Sequence, residues 1–147
     1  MPTRSARTAW DGGLSDGQGQ VELSSSGAGT YDVSFPKRTA EKADGTTSPE
    51  ELLGAAHSAC FAMQFSHEIA EAGGTPHSLE VTADVTLGPL KAGGLGISTI
   101  HLTVRGEVEG LDEAGFVKAA EAAKVNCPVS RALTGVEEVT LDAALVS

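Results

Sequence analysis

With 147 residues, 40% of them hydrophobic and 20% charged, the sequence suits one globular domain over residues 1–147 rather than a disordered chain. Ten basic residues against twenty acidic ones give a net charge of −10, which excludes the clustered cations that nucleic-acid binding requires. No apolar run approaches the ~20 residues of a bilayer span, and two distant cysteines do not make a disulfide scaffold.

The first ten residues contain two arginines and no apolar core. No secretory signal is expected, and the cytoplasm is the expected compartment, where thiols stay reduced and serve catalysis or redox sensing. Aromatic residues are only 4%, so aliphatic side chains must fill the interior. Such a core is easier to complete with a second subunit.

The first third reads as strands. Val21 and Leu23 alternate with polar residues, as do Tyr31, Val33 and Phe35, and Gly- and Ser-rich turns separate them. Residues 36–47 read as a polar loop. At Ser48 three rules coincide: Ser48 can cap a helix, Pro49 suits the first helical position, and Glu51 can close a capping box. The helix is expected to run to Ala72 and stop at Gly73-Gly74. Its stretch from Leu52 to Phe65 holds no ionised residue except a protonated His57, which predicts enclosure on most sides.

Leu79, Val81, Ala83, Val85 and Leu87 form the cleanest strand alternation, and Ile100, Leu102 and Val104 follow after a Gly-rich hairpin. Ile97 is out of phase and predicts a bulge. A second helix is expected from Asp112, with Phe116, Val117, Ala120 and Ala123 inward and Asn126 at its end. Pro128 starts a short helical turn, and Val139 to Leu145 make a closing strand. The predicted class is α+β, with antiparallel sheets and two main helices.

Two residues stand out chemically. Cys60 lies mid-helix among apolar residues, where thiols are usually inert and the helix dipole gives no help. If it reacts, a cation must be brought to it. Cys127 lies where one helix ends and the next turn begins, and free amides there favour a thiolate. By that argument alone Cys127 is the better nucleophile; the plain alternative is a solvent-screened loop cysteine. Taken together, one cysteine on each helical element suits a reversible disulfide. One thiolate attacks a peroxide oxygen and becomes a sulfenic acid, and the other thiol condenses with it.

Metal binding is a rival, because His57 and Cys60 share a helix face and His67 lies two turns beyond Cys60. His67 is about 10 Å along the helix from Cys60, so the three cannot converge locally, and no metal site is expected. A second rival is a dithiol redox sensor or binding protein without turnover.

Residues 48–63 (SPEELLGAAHSACFAM) and the later Cys127-Pro128-Val129-Ser130 resemble the OsmC/Ohr family of thiol-dependent hydroperoxide peroxidases. The likeness extends to Ala9-Trp10-Asp11-Gly12 and Thr82-Ala83-Asp84-Val85. The Ala-Ala-His before Cys60 and the Val129 after Cys127 place the sequence nearer the OsmC branch. The resemblance implies an intertwined homodimer of the OsmC-like fold, reduction of organic hydroperoxides, no cofactor, and recycling by a dithiol reductant, lipoylated proteins among them. It makes Cys60 the peroxidatic residue and Cys127 the resolving one, reversing the order that the dipole favours. It also implies that Arg38, oriented by Glu50, activates the Cys60 thiolate. A guanidinium there answers the need for a cation. Adjacent Lys37 offers charge without a planar fork, and Glu50 is equally explained as a dipole-complementing residue of the first turn. Gln64, one turn after Cys60, either lines the thiol pocket or hydrogen-bonds in the core. Leu53 and Met63 supply apolar walls for an alkyl hydroperoxide, or are simply core.

Overall fold

The structure is a computed structural model and describes residues 1–146. Two compact units make up the chain, Met1–Leu52 and Leu53 onward.

In the first unit, β1 (Arg7–Asp11), β2 (Gln18–Glu22) and β3 (Thr30–Val33) form an antiparallel meander in the order β1-β2-β3. Trp10 lies opposite Gly19, where a β-carbon would stand 2.4 Å from the Ala9 carbonyl oxygen, so only glycine fits that crossing. The expected polar loop is partly helical: α1 spans Phe35–Arg38. The reason is local, because Ser34 accepts the Lys37 amide in its side chain and Pro36 fixes the first turn. Thr47 then pairs with Val33, which sets the start of α2 (Pro49–Glu71).

The Ser48 cap forms, with the Glu51 amide donating to its hydroxyl at 3.1 Å. The reciprocal half of the capping box does not form, because the Glu51 carboxylate takes the Thr47 hydroxyl instead.

In the second unit, β4 (Thr75–Pro89) and β5 (Leu95–Glu109) form a long hairpin, and β6 (Glu138–Leu145) adds to β5. The bulge expected near Ile97 is present: Thr86 faces Thr99 and Leu87 faces Ile97, leaving Ser98 extra. The β5–β6 pairing is parallel, whereas antiparallel strands were expected. The chain crosses between them through α3 (Glu113–Asn126) and α4 (Pro128–Ala132), and such a crossover returns a strand in the same direction.

Phe61, Phe65 and Ile69 form an i, i+4 stripe on α2 and pack with Ile100, Leu102 and Val104 of β5. Phe116 from α3 meets Phe65 edge-on, with ring centroids 4.9 Å apart. Ala119, Ala120 and Ala123 complete the inward face of α3, while Val117, expected inward, is exposed because it lies off that stripe. The apolar stretch of α2 is not enclosed on most sides either. Only its Phe61–Phe65–Ile69 side is buried, and Ala55, Ala56, Ala59 and Met63 stay exposed.

Gly54 sets how closely α2 approaches the sheet, since a β-carbon there would lie 2.9 Å from the Ala83 carbonyl oxygen. Gly54→Ala should gain up to about 1 kcal/mol of helix propensity but lose more, roughly 1–3 kcal/mol, by forcing the helix off β4. Thermal unfolding of the variant should show a net loss of stability; equal or higher stability would contradict the close approach.

Candidate active site

Two polar constellations emerge, one in each unit. In the first, α1 ends at Arg38 and the first turn of α2 carries Glu50. The Arg38 guanidinium grips the carboxylate as a fork: Nη2 donates to Oε1 at 2.6 Å, and Nε donates at 3.1 Å to both oxygens. Lys37 turns elsewhere, to Asp44 at 2.9 Å on the surface. Glu50 is buried, which by itself raises its pKa, yet the Arg38 hydrogen bonds hold the carboxyl below the ordinary value. The same bonds raise the pKa of Arg38. A permanently ionised, oriented cation results.

In the second unit the sulfurs of Cys60 and Cys127 stand 3.3 Å apart, both as free thiols. A disulfide needs about 2.05 Å, so closure asks for roughly 1.3 Å of approach. The contact exists because α4 starts immediately after α3, with Cys127 as the last cap of one and the first cap of the other. Cys127 is fully buried and joins the core, whereas Cys60 is only half-buried. Cys127 is therefore not the solvent-screened loop cysteine that the sequence left open.

Further ties flank the sulfur pair. His57 Nε2 lies 2.7 Å from the Ser130 hydroxyl. On the other side, the Glu68 carboxylate oxygen Oε1 accepts from Gln64 Nε2 and from Asn126 Nδ2, each at 2.8 Å. The Asn126 bond, then the Gln64 bond, keep the Glu68 carboxyl below its usual value. His57, Cys60, Gln64 and Glu68 recur every three or four residues and so share one edge of α2. Against them run Ser130, Cys127 and Asn126 in reverse order.

Between the two thiols Cys127 donates and Cys60 accepts. Burial opposes ionisation of Cys127, but the Ser130 amide, the Cys60 thiol, the Ser130 hydroxyl and the Val129 amide, in that order, outweigh it and lower its pKa. No α4 amide makes a capping hydrogen bond of strict geometry to the side chain, so they act on the large sulfur as aligned dipoles. Burial raises the Cys60 pKa, and the neighbouring Cys127 raises it further. Of the two thiols Cys127 is the one whose surroundings favour the anion, as its position at a helix start suggested.

The sequence reading brought the two cysteines together, and Arg38 with Glu50, without seeing the flanking ties. It weighed His57 only as a metal ligand and missed Ser130, Glu68 and Asn126 as contacts. The equal spacing of His57/Cys60 and Cys127/Ser130, three residues in each case, was a signal that both pairs meet at once. Of the residues expected against substrate, Gln64 is engaged with Glu68, Leu53 is half-buried, and Met63 is 74% exposed. Met63 lines an open groove with Ala62, Ser66 and residues 76–79, and neither cysteine lines that groove.

Fold and site define an α+β protein in which two free thiols, carried by different helices, lie in contact. The chain belongs to the OsmC-like family: the family described as OsmC-like protein matches residues 41–142. The peroxiredoxin OsmC of Escherichia coli (strain K12) is 40% identical over 138 residues, 94% of this chain and 93% of that protein. An organic hydroperoxide resistance protein from Elizabethkingia anophelis superposes with a TM-score of 0.76 at 28% identity, covering 97% of each chain. The organic hydroperoxide resistance protein OhrB of Bacillus subtilis gives a TM-score of 0.71 at 26% identity over 97% of this chain and 98% of that one. Family and relatives support a redox function of peroxidase type. No helix among the described residues is long and apolar enough to cross a membrane.

Proposed function

We propose that the chain is a thiol peroxidase that reduces organic hydroperoxides to alcohols. The observation that carries this reading is the sulfur pair at 3.3 Å, of which only Cys60 has surface open to solvent. The Cys60 thiolate attacks the distal oxygen of ROOH, the O–O bond breaks, and the alkoxide takes a proton and leaves as ROH. Cys60 is now a sulfenic acid. Cys127 attacks its sulfur, the S–S bond forms, and the S–O bond breaks to release water. A dithiol reductant, such as a lipoylated protein, then exchanges with the disulfide and returns both thiols.

Arg38, aligned by Glu50, is the cation assigned to Cys60. It favours the thiolate and receives negative charge as the O–O bond lengthens. Leu53 and Met63 are assigned to the alkyl part of the substrate, and Gln64 to the edge of the thiol site. The names of the hydroperoxide-resistance relatives favour an organic peroxide over hydrogen peroxide. A homodimer belongs to the same reading. Its support is the uncharged outer face of α2 (Ala55, Ala56, Ala59, Met63), together with Trp10 and Tyr31, each 42% exposed. The cycle requires a compartment that keeps thiols reduced, as the cytoplasm does.

Mixing the protein with cumene hydroperoxide and a small dithiol should give steady peroxide consumption, with hydrogen peroxide and monothiols serving less well. Oxidation that stops after one equivalent would favour the dithiol sensor. The lowered Cys127 pKa favours one rival assignment, in which Cys127 is oxidised first; mass spectrometry locating the first sulfenic acid on Cys127 would establish it.

A further inference from the structure

Two features of the second unit take no part in the cycle above. His57 is wholly buried in the chain, and its Nδ1 is the one buried side-chain nitrogen or oxygen among the described residues that lacks a partner. The other ring nitrogen meets Ser130, three residues beyond Cys127 on α4.

We propose that His57 and Ser130 are a positioning pair for the resolving cysteine: His57 donates from Nε2 to the Ser130 hydroxyl, which thereby turns its own proton toward the Cys127 sulfur. The inference rests on the reading that Cys127 resolves a Cys60 sulfenic acid.

The tautomer follows from the orphaned atom. With the proton on Nδ1, a buried N–H would have no acceptor, and the Ser130 hydroxyl would have to donate to Nε2. With the proton on Nε2, the orphan is a lone pair, which burial penalises less than an orphaned N–H. Ser130 then accepts from the imidazole and keeps its O–H free to donate. Cys127 precedes Ser130 by three residues at the start of the same helical turn, and the hydroxyl is one of the groups that favour its anion. Burial lowers the His57 pKa, which keeps the ring neutral and its single N–H committed to Ser130. A positively charged ring would leave a second N–H without a partner.

Geometry assigns the pair a second task. Cys60 to Cys127 and His57 to Ser130 are adjacent rungs between α2 and the start of α4, at 3.3 Å and 2.7 Å. The shorter, polar rung sets the spacing of the longer one. During resolution the sulfur pair must close by about 1.3 Å, and a fixed neighbouring rung makes that a side-chain movement rather than a displacement of α4. The titratable group in contact with Cys127 is Cys60, and His57, also on α2, meets Ser130. Glu68, on the same helix, reaches Asn126 on α3, the neighbour of Cys127, and Arg131 on α4 is exposed.

The experiment titrates the Cys127 thiolate by its ultraviolet absorbance in Cys60→Ser protein, so that no peroxide is needed. Ser130→Ala and His57→Leu should each raise the midpoint by about one pH unit. Ser130→Thr and His57→Gln, which keep the hydroxyl and an amide donor, should restore most of the shift. With both cysteines present, one equivalent of cumene hydroperoxide and a sulfenic-acid trap should show Ser130→Ala accumulating trapped Cys60, its disulfide forming about tenfold more slowly at pH 7. Unchanged midpoints in folded Ser130→Ala and His57→Leu proteins would overturn the pair. Absence of a Cys60–Cys127 disulfide in the unaltered protein would instead overturn the function on which it rests, and the peroxide-free titration keeps the two failures apart.

Discussion

Cys60→Ser should bring hydroperoxide consumption down to the buffer background, a loss on the order of 10³-fold or more, as removal of a nucleophile commonly does. A serine hydroxyl is neither ionised near neutral pH nor able to hold the oxygen as a sulfenic acid. The remaining thiol cannot substitute, because Cys127 has no exposed surface through which a peroxide could reach it. Cys127→Ser should behave differently. It should consume about one equivalent and then advance to sulfinic acid, since no second thiol traps the intermediate. Mass spectrometry after graded peroxide reads both outcomes: no oxidised cysteine in Cys60→Ser, and a gain of one and then two oxygens on Cys60 in Cys127→Ser. Sustained turnover by Cys60→Ser would end the assignment. The thermodynamic preference for Cys127 as the first thiolate does not oppose it. Nucleophilicity falls as pKa falls, and rate depends on access as well as on the ionised fraction.

The sequence was legible where one local rule sufficed. Ser48 and Pro49 fixed the start of α2, Asp112 capped α3 as expected, and the misplaced Ile97 lay one residue from a bulge at Ser98. It was less legible where an outcome depended on partners distant in the chain. The direction of β6 is set by the α3–α4 crossover, not by its own alternating residues, which suit either pairing. Residues 36–47 look polar throughout, and only the Ser34 cap with Pro36 shows that the segment begins as a helix. The α2 face with Ala55, Ala59 and Met63 reads as core by composition and lies exposed. Apolar content tells that a surface is to be covered, not by what. At the site, the sequence singled out both cysteines, but one residue at a time it favoured Cys127 as nucleophile, and the opposite order came from the family resemblance. The His57–Ser130 and Glu68–Asn126 ties span 73 and 58 positions, beyond the reach of periodicity, and only the first leaves a trace, in its spacing matched to the cysteines.

The Arg38–Glu50 fork gives the second large effect. Arg38→Ala should slow the first oxidation of Cys60 by about 10²- to 10³-fold, the usual loss when a donor aimed at developing charge is removed. Burial and the neighbouring Cys127 both raise the Cys60 pKa, so without a compensating cation the thiolate fraction at neutral pH is small. On the proposed reading Arg38 supplies that cation, and its removal should move the rising limb of the rate toward higher pH, with partial recovery in alkali. Arg38→Lys keeps a charge but loses the fork to Glu50, and an intermediate rate is expected. Stability has its own pH dependence through Glu50. Its carboxyl is held below the ordinary value in the fold, so its contribution is complete above the ordinary carboxylate range and is lost as pH falls through the lowered value. Arg38→Ala abolishes that lowering, and acid unfolding should begin at higher pH while the circular dichroism spectrum at neutral pH stays native. Stopped-flow oxidation across pH separates these terms. A profile that matches the unaltered protein would mean that another cation serves Cys60, with the Arg38–Glu50 pair there to anchor the first turn of α2.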